Sequence, residues 1–95
     1  MINEYTILIL NTSPKTFRNN ETGEVNDMAL VTYGRYCEPT EYFNGYAIFE
    51  GYLPAKALEV ANKYVGKNVK AKIREIPQKN GVKYSLQELN NEKLR

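Results

Sequence analysis

Aromatic and basic side chains are the residues of this 95-residue chain whose types could act together on a ligand. The chain holds eight tyrosines, three phenylalanines and no tryptophan. Seven of these rings lie between positions 33 and 52: Tyr33, Tyr36, Tyr42, Phe43, Tyr46, Phe49 and Tyr52. Exposed rings can stack on nucleobases, each contact worth roughly 1–3 kcal/mol, while Lys and Arg contact phosphates. Because aromatic residues also suit strands and packed cores, we expect about half of them to be structural.

Alternation along the predicted strands brings aromatic and basic residues together. If Met28 and Leu30 point inward, Tyr33 and Arg35 point outward together, and this pair is the best candidate for base stacking and phosphate contact. Similar combinations recur near the first and last predicted loops. The complete set of candidate nucleic-acid-binding residues is Lys15, Phe17, Arg18, Tyr33, Arg35, Tyr46, Lys70, Lys72, Arg74, Lys79 and Lys83.

The segment 68–76 alternates strictly, which predicts a strand with one apolar and one basic face. The apolar face holds Val69, Ala71 and Ile73, and the basic face holds Lys70, Lys72 and Arg74. The basic face could contact phosphates, or it could simply keep the strand soluble and discourage edge pairing. The net charge of +2 also conceals an acidic first half and a basic second half, and both readings of the row remain open.

Residue types that support catalysis or metal binding are scarce. The chain has no histidine, and its single cysteine, Cys37, cannot form an internal disulfide. The eleven acidic residues are scattered, mostly at predicted turns and solvent-facing positions. Glu38 and Glu41 could pair around a divalent ion, but two acids in a loop are usually just solvated. We therefore expect neither enzymatic activity nor a metal or other cofactor.

The length and composition predict one globular domain. A hydrophobic fraction of 42% and a charged fraction of 25% are ordinary for a soluble protein. The longest apolar run, 7–10, is too short for a membrane span, so we expect no membrane partner and a cytoplasmic location. We assign residues 1–89 to the domain and 90–95 to a frayed tail.

Five strands and one helix would position these residues. The predicted strands are 5–10, resumed as 15–18 beyond Pro14, then 25–37, 46–52, 68–76 and 82–89. Pro54 and Gly66 bound a predicted helix of about three turns over 54–65, whose apolar stripe of Ala57, Leu58, Ala61 and Val65 would plug one end of a barrel. In the last strand Leu89 falls on the opposite face from Leu86, so the alternation slips.

This order, β-β-β-α-β-β, predicts a mainly β fold, a five-stranded barrel similar to the oligonucleotide/oligosaccharide-binding fold with one short helix between strands three and four. In that fold the second and third strands, with the loops between strands one and two and between four and five, form the binding surface.

The layout resembles the small single-stranded-DNA-binding proteins of filamentous phages and their plasmid-borne relatives. The resemblance rests on the loop 19–24 between two long strands, the tyrosine and arginine positions expected to face outward, and the final hairpin introduced by residues 64–69. It implies a homodimer that coats single-stranded DNA during phage or mobile-element replication. It also implies that Tyr33 and Arg18 contact DNA. The predicted helix is longer than that family leads us to expect.

Other functions remain open on the same residues. Acidic loops at 21–27 and 38–41 could belong to a phage or mobile-element interaction module, an inhibitor or assembly factor that acts on a host protein. The tyrosine-rich face could instead recognise a carbohydrate. Stacking does not distinguish RNA from DNA.

Overall fold

A computed structural model describes residues 1–89 of the chain. Its elements are β1 (Ile2–Arg18), β2 (Val25–Cys37), β3 (Gly45–Pro54), a 3₁₀ turn (Ala55–Ala57), α1 (Leu58–Lys63), β4 (Asn68–Gln78) and β5 (Gly81–Leu89). The predicted mainly β class, with one short helix between the third and fourth strands, is confirmed. The tail predicted at 90–95 lies outside the described residues.

The five strands form one antiparallel sheet in the order β3-β2-β1-β4-β5, curled into a half-barrel. The long β1 pairs with β4 through Ile2–Leu8 and with β2 from Leu8 onward, and a bulge at Leu10 interrupts the second ladder. The two edge strands, β3 and β5, come together at Gly51. A Cβ atom at this position would lie only 2.5 Å from the Cβ of Leu86, so glycine permits the curl to close there.

The core fills the inner, concave face of the half-barrel. Each strand contributes buried apolar side chains, and α1 adds one: Ile7, Ile9, Ala29, Val31, Tyr33, Leu53, Ala61, Val69, Ala71, Ile73, Leu86 and Leu89. The side chains on the opposite, outer face of the sheet are largely exposed. The sheet therefore has one packed face and one face available to a ligand.

The orientation predicted for β2 is wrong. Ala29, Val31 and Tyr33 are completely buried, whereas Met28 and Leu30 lie on the outer face. Both faces of this strand carry apolar residues, so alternation alone cannot select the inner one. The choice is made by register, because Ile9 on the inner face of β1 is directly opposite Tyr33.

The helix is shorter than predicted. Pro54 still has strand dihedrals, the next three residues form the 3₁₀ turn, and α1 spans only six residues before Tyr64 leaves the helical region. Ala61 is buried and Leu58 packs against the core, as expected for a plug, but Val65 is exposed. The 3₁₀ turn takes the first three residues of the link between β3 and β4, and residues 64–67 lie beyond the helix, so α1 keeps less than two turns.

The last two strands match the alternation in the sequence. Val69, Ala71 and Ile73 are buried and face Leu86 and Leu89 of β5, which confirms the predicted packed face of β4. A register shift between Leu86 and Glu88 leaves Gln87 as the extra residue. This bulge brings both leucines to the core and accounts for the slip predicted at Leu89.

Candidate functional site

Four aromatic rings and one isoleucine form an exposed surface on the outer side of β1, β2 and β3. We call this the outer aromatic surface; it comprises Phe17, Tyr36, Tyr46, Ile48 and Tyr52. The rings are between 40% and 56% exposed, and Ile48 is 59% exposed. On β3 the members follow the strand period of two, and the β2–β3 register places Tyr36 directly opposite Tyr46.

The rings are held in two edge-to-face pairs. The ring centroids of Phe17 and Tyr52 are 5.1 Å apart with an interplanar angle of 78°, and those of Tyr36 and Tyr46 are 5.7 Å apart at 74°. Such contacts contribute about 0.5–1.5 kcal/mol beyond buried area, which restrains the rings before any ligand arrives. Because Tyr46 and Tyr52 are six residues apart on one strand, the pairs are separated by roughly 20 Å.

A shallow, open cleft of about 460 Å³ lies beside the Phe17–Tyr52 pair. It is lined by Phe17, Asn26, Asp27, Met28, Tyr52, Pro54 and Ala55. The cleft exists because β3 ends at Pro54, opposite Met28, while the β1–β2 ladder continues as far as Arg18 and Val25. We call it the β3-end cleft.

Charged residues near the outer aromatic surface have both signs. Lys15 is exposed and opposite Met28, so it lies beside the β3-end cleft, and Arg18 is exposed at the end of β1. Glu50, opposite Thr32, lies between the two ring pairs along β3. Cations are therefore available at the Phe17 end, while the centre of the surface carries a carboxylate.

Tyr33 and Arg35, predicted as an outward pair, lie on the inner side of the sheet. Tyr33 is fully buried and its ring is stacked on Phe49 at 5.7 Å between centroids. Its hydroxyl is the buried side-chain oxygen that has no hydrogen-bond partner within residues 1–89. Burial raises the pKa of Tyr33 above its ordinary value of 10.0, although the nearby Arg35 charge partly offsets the rise.

The Arg35 guanidinium is surrounded by three aromatic rings. Its central carbon is 3.9 Å from the ring centroid of Tyr5, 4.7 Å from that of Tyr84 and 5.6 Å from that of Phe49. Cation–π attraction of this kind favours a planar cation at the ring faces. Arg35 thus joins β1, β2, β3 and β5 on the inner face and is not placed to follow a strand bound outside.

A hydrogen-bonded group lies next to this cation. The Tyr5 hydroxyl donates to Glu75 Oε1, and Asn3 Nδ2 donates to Glu75 Oε2 at 3.2 Å. The pKa of Tyr5 is raised from 10.0, mainly because its hydrogen bond to Glu75 favours the protonated phenol and also because of burial. These contacts connect β1 to β4 at the end of the half-barrel that is remote from the β3-end cleft.

The remaining predicted cations lie elsewhere on the sheet. The row of Lys70, Lys72 and Arg74 faces outward on β4, as predicted, but β1 separates it from β2 and β3. Lys72 forms an ion pair with Glu88 at 3.0 Å and is opposite Glu4 across the ladder, so acids flank it on both sides. Lys79 and Lys83 are exposed at the β4–β5 turn. This turn lies past the N-terminal end of β1, whereas Phe17 is close to the C-terminal end of the same strand.

The structure therefore brings only part of the predicted set together. Phe17 and Tyr46 belong to the outer aromatic surface, and Lys15 and Arg18 lie at its edge. Tyr36, Ile48 and Tyr52 were not among the predicted site residues. Counting in twos from Tyr46 along β3 would have found the members on that strand, whereas Tyr36 becomes apparent only when the β2–β3 register is known.

Two properties of the described part of the chain complete the picture. No three Cys, Asp or Glu side chains of residues 1–89 are grouped in a way that could hold a metal ion. No helix within the same range is long and apolar enough to cross a membrane.

Comparison of the chain with protein-family models, curated proteins and solved structures found no match.

Proposed function

We propose that this protein is a non-catalytic binder of single-stranded nucleic acid and that the outer aromatic surface stacks the bases. The observation that supports this most is the exposure of four rings on one face of a sheet whose other face holds the whole core. Large apolar side chains grouped and exposed on one face of a small protein often mark a binding site. Stacking rings beside a few cations are the features that sequence-independent strand binding requires.

The two ring pairs act as separate stacking positions. Bases of a single strand can turn their faces to the exposed sides of these rings, whereas the bases of a duplex are already stacked and paired. Lys15 and Arg18 follow the phosphates at the Phe17 end. If each neutralises one phosphate, log K falls with log salt with a slope of about −1.4 for a single strand.

The resemblance to small phage and plasmid proteins, which after the burial of Tyr33 rests on the loop 19–24 and the final hairpin, extends this proposal to a biological role. The protein would coat single-stranded DNA as a homodimer in the cytoplasm during replication of a phage or mobile element. An RNA strand would meet the same rings, and a comparison of DNA and RNA oligonucleotides of one sequence distinguishes these ligands.

The test is a fluorescence anisotropy titration with a labelled single strand and its duplex at several salt concentrations. Replacing Tyr36 and Tyr46 together by alanine removes one stacking position, worth about 2 kcal/mol, or roughly a 30-fold loss of affinity. Tyr42→Ala is the matched control, because this tyrosine is 91% exposed in the β2–β3 loop, away from both ring pairs. Absence of binding to the single strand at low salt, or an equal loss in the control, contradicts the proposal.

A protein-interaction module remains the second candidate, and two residues favour it. Ile48 has no π-face to offer a base, and the carboxylate of Glu50 repels phosphates from the centre of the surface. Aromatic and aliphatic side chains together are common at protein interfaces. This candidate predicts a nuclease-resistant complex with a host protein that is lost in Ile48→Asp but kept when the exposed acids of 21–24 are replaced.

A further inference from the structure

Strands β3 and β5 each begin with a glycine that follows an asparagine. Asn44 precedes Gly45, and Asn80 precedes Gly81. Both asparagines are exposed, and the two glycines have φ angles of +141° and +140°. Apart from the flanking residues, no heavy atom of residues 1–89 lies within 4 Å of the position that a Cβ atom would take at either glycine. The side of each glycine on which a side chain would lie is therefore open.

This juxtaposition allows an intramolecular reaction of the asparagine side chain. The glycine nitrogen loses its proton to solvent and attacks the asparagine Cγ, the bond from Cγ to Nδ2 breaks, and ammonia leaves with a proton taken from solvent. The product is a cyclic succinimide. Water then opens the ring: cleavage at Cγ gives aspartate, and cleavage at the main-chain carbonyl carbon gives isoaspartate. The net change replaces ammonia by water and involves no oxidant, reductant or enzyme.

The fold restrains Asn80. Residues 79–80 form a tight turn, and Gln78 pairs with Gly81 directly across it. Succinimide formation requires the asparagine backbone to rotate toward its own side chain and the glycine N–H to leave its pairing. A turn this short, closed by a paired residue on each side, offers little freedom for that rotation.

Asn44 has more freedom. It is the last residue of the longer loop 38–44, and the hydrogen bonds that order this loop lie within residues 40–43. The Asn44 side chain forms no hydrogen bond within residues 1–89. Gly45 belongs to the last pair of the β2–β3 ladder, and strand ends open more readily than strand centres. The geometry for ring closure is therefore easier to reach at Asn44 than at Asn80.

Asn19 provides an internal reference. Its Oδ1 accepts hydrogen bonds from the backbone N–H of Glu21 at 2.9 Å and from that of Thr22 at 3.4 Å. These bonds fix the side chain in a local turn. The next residue, Asn20, also carries a side chain that hinders attack by its nitrogen.

We propose that Asn44 is a modification site at which the folded chain deamidates spontaneously, with water as the co-reactant. Either product places a new carboxylate two residues before Tyr46, in a loop that already holds Glu38 and Glu41. Isoaspartate also adds one backbone atom at the entry to β3. Because carboxylates repel phosphates, the modification lowers the affinity of the Tyr36–Tyr46 stacking position, a consequence that rests on the proposed function.

The modification is measured by peptide mapping with mass spectrometry after incubation of the folded protein in mildly alkaline buffer. Converted peptides are heavier by the mass difference between water and ammonia. We expect Asn44 to convert about fivefold faster than Asn80, the factor that corresponds to one backbone hydrogen bond, and Asn19 to persist. Equal rates at Asn44 and Asn80, or a faster reaction at Asn80, overturn the assignment.

Unfolding shows whether the structure sets this order. In concentrated urea the loop and the turn are both lost, so the rates at Asn44 and Asn80 should converge. An unchanged ratio in urea would mean that neighbouring residues in the sequence determine it, and would overturn the structural argument.

Charge substitutions test the consequence for strand binding. Asn44→Asp reproduces the charge of the product, and Asn80→Asp is the matched control, because it adds the same charge at the β4–β5 turn, away from the outer aromatic surface. We expect Asn44→Asp to weaken single-strand binding about threefold, the scale of one exposed charge, and Asn80→Asp to leave it unchanged. Equal effects of the two variants overturn the consequence for binding. Absence of binding by the unmodified protein overturns the proposed function and leaves the modification, which the peptide map measures separately.

Discussion

Replacement of Tyr33 by phenylalanine should stabilise the protein. The residue is 0% exposed, and its hydroxyl has no hydrogen-bond partner within residues 1–89. An unpaired buried hydroxyl costs about 1–3 kcal/mol, while the void left by one oxygen atom costs a few tenths. The phenylalanine ring keeps the contact with Phe49. We therefore expect the free energy of unfolding to rise by about 1 kcal/mol or more.

The same substitution should change the pH dependence of stability. Burial raises the pKa of Tyr33 in the folded protein above 10.0, so the neutral phenol is favoured in the folded state. The stability that this difference in pKa contributes is fully present below pH 10.0, the pKa of the phenol in the unfolded chain. It is lost as the pH rises through the pKa of Tyr33 in the folded protein. Phenylalanine cannot ionise, so the advantage of Tyr33→Phe over the wild type should grow as the pH rises above 10.0.

The assay is chemical denaturation of the wild type and Tyr33→Phe at neutral and alkaline pH. Tyr36→Phe is the control, because its hydroxyl is on an exposed side chain and its removal should change stability by less than about 0.5 kcal/mol. A loss of about 1 kcal/mol in Tyr33→Phe at neutral pH would refute the reasoning, since it would mean that the hydroxyl forms a favourable hydrogen bond in the folded protein.

Two further substitutions test the closure of the sheet and the contacts of β1. Gly51→Ala should cost about 1–3 kcal/mol, because its Cβ would lie 2.5 Å from that of Leu86 and the two strands must separate. Gly34→Ala meets only a ring edge at 3.2 Å, so an equal loss of unfolding free energy in both variants would contradict a strand clash. Tyr5→Phe removes the hydrogen bond to Glu75 that raises the pKa of the Tyr5 phenol. In the wild type this bond stabilises the folded protein below pH 10.0, and its contribution to stability is lost as the pH rises above that value. The variant should therefore lose less stability than the wild type between about pH 9 and about pH 11, and parallel pH profiles would count against this.

The order of elements along the chain and the buried face of β4 were predictable because the alternation is local. In β4 one face is wholly apolar and the other carries three cations, so only one orientation can be buried. In β2 either Met28 and Leu30 or Ala29 and Val31 could face the core, and both pairs are apolar. The inner face was settled by the register that places Ile9 opposite Tyr33, a pairing between distant residues that no local pattern contains.

The sequence predicted which strands and which residue types would form the candidate surface, but not which individual residues belong to it. The concentration of rings in the second and third strands directed attention to β2 and β3, where the structure exposes Tyr36, Tyr46 and Tyr52. Tyr33 and Tyr36 are three residues apart, so they must fall on opposite faces of a strand, and the reversed orientation of β2 exchanged their roles. Tyr33 became part of the core, and Tyr36 became part of the surface.

The packing of β3 against β5, at Gly51 and through the Phe49 and Tyr84 rings, has a dynamic consequence. β3 carries three members of the outer aromatic surface, yet among the described strands it is hydrogen-bonded only to β2 and touches β5 through packing. Edge strands held in this way open at a lower free energy than central ones, so amide protons along β3 should exchange with solvent faster than those of β1. A ligand lying across β2 and β3 would oppose that opening, and the loss of this local motion becomes part of the entropy of binding.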